Sequence, residues 1–70
     1  MDILVFKTNL FDARRISDIE PSLDVHPNIF NWNVDLNDED NILRIVASNV
    51  AGEEVEDLLL SAGYYCEELK

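Results

Sequence analysis

Phe30-Asn31-Trp32-Asn33-Val34-Asp35-Leu36, followed by Asn37-Asp38-Glu39-Asp40-Asn41 and Ile42-Leu43-Arg44-Ile45-Val46-Ala47, is the stretch that decides the fold. In the first segment Phe30, Trp32, Val34 and Leu36 fall to one side and Asn31, Asn33 and Asp35 to the other. That period of two marks a half-buried strand. The five polar residues after it form a hairpin turn. Ile42 to Ala47 then give a second strand of the hairpin, apolar on both faces.

Each flank of this central hairpin reads as one strand and one helix. Upstream, Ile3-Leu4-Val5-Phe6 is a short apolar run suited to a buried strand. Thr8 or Asn9 supplies a helix cap, and Asp12, three residues after Asn9, makes a variant of the capping box. Phe11, Ile16, Ile19 and Leu23 hold an approximately helical period. Pro21 is expected to end or kink this helix near Ile19 or Glu20, leaving Ser22 to Val25 as a turn and His26-Pro27-Asn28 as a loop. Downstream, a second helix starts at Gly52 or Asn49. Its Val55, Leu58, Leu59 and Ala62 form an apolar stripe, while Glu53, Glu54, Glu56 and Asp57 crowd the end where the helix dipole favours acids. Gly63 closes it, and Tyr64 to Leu69 form a final strand.

The order is β-α-β-β-α-β. With right-handed crossovers it gives an α+β, ferredoxin-like sandwich, two helices on one face of a four-stranded antiparallel sheet. Residues 1–70 are read as a single domain. Helices cover one face only, so the apolar surplus of the first and third strands must surface on the other. That face, around Ile3, Val5 and Ile45, is therefore a candidate contact surface.

Composition narrows the function. The chain has 70 residues, 47% of them hydrophobic, and a formal charge of -10, with fifteen acids against five bases. It is too apolar for a disordered segment. The acid excess argues against nucleic acid and anionic membrane as partners, since both require clustered Lys and Arg. One cysteine permits no intrachain disulfide, and no stretch approaches the roughly 18 apolar residues of a membrane span. The N-terminal apolar run is too short for a signal peptide, so a cytoplasmic location is expected.

Five local features add a resemblance. They are Lys7-Thr8-Asn9-Leu10, Ile16-x-x-Ile19 with Pro21-x-Leu23, Pro27-Asn28-Ile29, Trp32-Asn33-Val34-Asp35, and Ala62-Gly63-Tyr64. In order and spacing they resemble the heavy-metal-associated domain of copper chaperones and metal-pumping ATPases, over essentially the whole chain. The resemblance implies second and fourth strands at the sheet edges, and a Cys-x-x-Cys pair gripping a metal at the turn between the first strand and first helix. Asp12 and Arg15 stand at the aligned positions. A carboxylate is a hard ligand and a guanidinium is a permanent cation, so the two form a charge pair where the family forms a soft thiolate site. The usual metal activity is therefore expected to be lost.

Other chemistry is sparse. Cys66 precedes Glu67 and Glu68, which oppose a thiolate, and reads as a half-buried strand residue. His26, two residues after Asp24, reads as a surface loop residue. Asp35 to Asp40 crowds oxygen ligands, but Asp40 and Val46 replace the Gly and Glu that a calcium loop needs at its sixth and twelfth positions. With one His, one Cys and no phosphate loop, an enzyme is not expected, and no cofactor is implied. The leading expectation is a degenerate heavy-metal-associated-like domain acting as a protein-interaction or regulatory module. Its surface would be Ile3 and Val5 with Ile45, or the turn of Asp12, Arg14 and Arg15, and a homodimer is one form of the partner. The alternative is a copper or zinc carrier or sensor with a divergent site at Asp12, Cys66 or His26.

Overall fold

A computed structural model describes residues 1–69; Lys70, the last residue of the expected domain, lies outside them. Among the described residues the elements run β1 (Asp2–Thr8), α1 (Ala13–Asp24), β2 (Ile29–Asp35), β3 (Ile42–Ala47), α2 (Gly52–Ser61) and β4 (Cys66–Glu68). The strands form one antiparallel sheet in the order β2-β3-β1-β4, so β2 and β4 are its edges, as expected. The ferredoxin-like α+β architecture is the observed one.

Register sorts every strand residue to a face. Leu4 pairs with Ile45 and Phe6 with Leu43, and Phe6, Leu43, Ile45 and Ala47 are fully buried beneath the helices. Ile19 and Leu23 of α1 and Val55 and Leu59 of α2 complete that core. The other face carries Ile3 opposite Val46 and Val5 opposite Arg44. Ile45 was expected there and is instead a core residue. Its parity follows Leu4, and Val46 takes the open-face position.

A bulge also overturns part of the β2 reading. Ile29 pairs with Ala47 and Asn31 with the adjacent Val46, which leaves Phe30 as an extra residue between them. Ile29 is consequently buried, and Phe30, assigned to the core by alternation, is 57% exposed. Trp32 and Val34 keep the expected side and pack on the core. Leu36 falls beyond the end of β2 and is exposed.

The first helix departs from expectation at both ends. Its N-cap is Asp12, neither Thr8 nor Asn9, and Leu10 fills the core while Phe11 is exposed. Pro21 does not end α1, which continues to Asp24. Pro21 lies on the exposed side, and burial of Ile19 and Leu23 around it offsets the missing backbone hydrogen bond. Gly63, at φ 90, ends α2 as expected. The final strand is shorter than expected, three residues starting at Cys66.

Candidate functional site

The β1–α1 turn is built from its polar side chains outward. Thr8 is the buried polar residue at the end of β1, and its hydroxyl donates to the carbonyl oxygen of Asn41 at 2.6 Å while accepting the Leu10 N–H at 3.1 Å. Asn41 sits in the left-handed region at φ 46, which asparagine tolerates. The Asn9 side-chain oxygen accepts the Tyr65 N–H at 2.9 Å. Together these bonds tie the turn to the β2–β3 hairpin and to the segment following α2.

Asp12 then starts the helix. It has extended backbone angles, and Oδ1 accepts the Arg15 N–H at 2.9 Å, the geometry of an N-cap. Its Oδ2 accepts from Arg15 Nη1 at 2.5 Å. The Arg15 guanidinium also lies over the Phe11 ring, 3.9 Å from its centroid. Arg15 is thus held between an aromatic face and a carboxylate. The charge pair expected from the sequence is present, and Phe11, left outside the core that Leu10 fills, provides the stacking face.

Beside this turn is a cleft of about 420 Å³ lined by Asn9, Phe11, Arg14, Arg15, Asp18, Gly63 and Tyr64. The Tyr64 hydroxyl donates to the Asp18 carboxylate, which raises the phenol above its ordinary value. Sequence reasoning missed Asn9 as a tether and the Asp18–Tyr64 contact, since both join residues far apart in the chain. The Phe11–Arg15 spacing, four residues, was the one local signal available for the stacking.

The remaining candidates lie elsewhere. Cys66 pairs with Thr8 on the core-facing side of β4 and is half-buried. Burial first, then the nearby Glu56 and Glu68 carboxylates, pushes its thiol up to about 12. It is neither a ready nucleophile nor a ready thiolate ligand. His26 is more enclosed than a surface loop residue. Its side chain is 16% exposed, Nε2 contacts the Glu54 carboxylate, and Nδ1 accepts the Asn28 N–H at 3.2 Å. It works as a clasp between the α1–β2 loop and the start of α2. Among the described residues no three His, Cys, Asp or Glu side chains cluster in a way that would hold a metal ion. The described helices include none long and apolar enough to cross a membrane.

No family model matches the sequence, and no curated protein does. Solved structures do match in shape. The yeast copper transporter domain Ccc2a, solved in apo and Cu(I)-loaded states, superposes with a TM-score of 0.84 at 14% identity, covering 100% of this chain and 97% of that one. A copper-binding domain from HMA7, a P-type ATPase, gives 0.82 at 20% identity, with 100% and 96% covered. The Atx1–Cu(I)–Ccc2a complex gives 0.78 at 15% identity, with 97% and 94% covered. At these identities the likeness speaks for shape alone. The chain has the ferredoxin-like fold of heavy-metal-associated domains.

Proposed function

We propose that residues 1–70 form one non-enzymatic, cytoplasmic heavy-metal-associated-like domain that has lost the usual metal site and acts through protein contacts. The observation carrying this reading is the state of Asp12 and Arg15. The resemblance sets them where the family's two cysteines would stand, and neither fits a soft metal. The Asp12 carboxylate is committed to a backbone N–H and a guanidinium, and the Arg15 cation is held between Asp12 and Phe11. Thiolate chemistry is not supplied from nearby either, because the one thiol in the chain is half-buried among carboxylates. What remains for recognition is surface: the open sheet face with Ile3 and Val5, and the turn with Asp12, Arg14 and Arg15.

The test is an NMR titration with Cu(I) and with Zn(II), read at Asp12, His26 and Cys66. Under this proposal these resonances stay unmoved at stoichiometric metal. Localised shifts there would replace it with the divergent carrier or sensor.

A further inference from the structure

The open sheet face is unlike the rest of this acidic molecule. Register puts Ile3, Val5 and Lys7 of β1, Ile42, Arg44 and Val46 of β3, and Asn31, Asn33 and Asp35 of β2 on it, with Glu67 of β4 opposite Lys7. Lys7 and Arg44 balance Asp35 and Glu67. Asp40 reaches Lys7 from the β2–β3 turn at 3.6 Å, so the face carries a formal charge of only -1, and nearly all of the excess of -10 resides elsewhere. Its centre is apolar, with Ile3 65% exposed and Val5, Ile42 and Val46 partly so.

The β2 bulge enlarges this patch. Two residues, Phe30 and Asn31, occupy the space opposite Val46, so Phe30 turns away from the core that buries Ile29. Bulges commonly re-aim a side chain in this way. Without the extra residue, alternation would bury this ring. With it, a large aromatic is exposed at the level of Val46, the kind of side chain that anchors protein contacts.

We propose that this face, with Phe30 turned onto it, is the contact surface for a second copy of the chain. The proposal rests on the interaction reading above. A two-fold contact sets a surface against itself, so it must tolerate its own charge. A nearly neutral apolar face meets that condition, whereas a strongly acidic patch meeting its copy is repelled. Area sets the strength. Strands of seven, seven, six and three residues at about 3.3 Å per residue and about 4.8 Å spacing present roughly 360 Å² per copy. That is short of the roughly 800 Å² per partner of a standard interface, so the dimer is weak and reversible. Salt gives it a signature. Two copies of charge -10 repel at long range, and added salt screens that repulsion without weakening the apolar contact.

The experiment is sedimentation combined with NMR dilution of the full chain, from about 10 μM to about 1 mM, at about 0.05 M and about 0.3 M salt. Concentration-dependent shifts are expected at Ile3, Val5, Phe30 and Val46, with tighter association at the higher salt. Phe30→Asp should weaken association at least about tenfold, and Phe30→Leu should largely retain it. Leu60→Asp, which changes an exposed apolar residue on α2, should leave it unaltered. Both positions are exposed, and circular dichroism verifies the fold of each variant. A monomer throughout, weaker association with salt, shifts confined to the helices, or equal loss with Leu60→Asp would each overturn the dimer. None of these results touches the metal-free reading, which fails only in the metal titration.

Discussion

Replacing Asp12 by alanine probes the turn most directly. The larger loss is the cap: the Arg15 N–H gives up its acceptor at 2.9 Å, and such replacements typically cost about 1 kcal/mol. The ion pair adds less. The Asp12 and Arg15 side chains are 43% and 36% exposed, so screening holds its contribution to a few tenths of a kcal/mol. Loss of an acid beside the helix N-terminus contributes about as much again. The sum is about 1.5 kcal/mol. In a chain this short each kcal/mol lowers Tm by roughly 4–8 °C, so a drop of about 6–12 °C is expected. Urea and thermal denaturation followed by circular dichroism measure it. Asp12→Asn keeps the accepting oxygen and should lose only about 0.5 kcal/mol. An alanine variant within about 0.3 kcal/mol of the parent, or an asparagine variant as damaged as the alanine one, would refute the capping argument.

Three further outcomes are expected. The double variant Asp12→Cys with Arg15→Cys should gain Cu(I) binding in competition with a chromophoric chelator; no gain would show that more than these two side chains keeps the metal out. Stability should fall as pH rises above 9.0, the ordinary thiol value, toward about 12, because the unfolded chain releases the Cys66 proton before the folded one does. Urea midpoints across that range should decline less steeply in Cys66→Ala, and an unchanged slope would remove Cys66 as a cause; Tyr64 and Tyr65, also raised, contribute with the same sign. Pro21→Ala restores a donor to the interior of α1 and should stabilise the chain by about 1 kcal/mol or more in urea titration, after allowing for the freer unfolded chain; destabilisation would mean the proline is doing more than interrupting a hydrogen-bond ladder.

The element order was legible because each element leaves a local trace: alternation in Asn31 to Asp35, an apolar stripe at Val55 and Leu59, glycine at 63. Three readings failed for a common reason, which is that the deciding term was tertiary. Parity alone does not say which face of β3 the helices cover, so Ile45 and Val46 were exchanged. Alternation cannot register a bulge, since Phe30 is out of step only relative to β3. Pro21 obeys its local rule until burial of Ile19 and Leu23 outweighs it. At the turn, the Asp12–Arg15 pair was readable from its spacing, while the Asn9–Tyr65 tether spans 56 residues and leaves no local mark.

The strand order also has a kinetic consequence. The β2–β3 hairpin closes over a short turn, but β1, central in the sheet, must find β3 about forty residues away and then β4 at the far end of the chain. Those distant pairings cost loop entropy before they return any contact, which places this small domain among the slower folders for its size. β4 has only three residues, so it is expected to dock late, with φ-values near zero at Cys66 to Glu68 as the check. Changes at Cys66 to Glu68 would then hasten unfolding while leaving the folding rate nearly untouched. The edge that completes the sheet is also where it would first come apart.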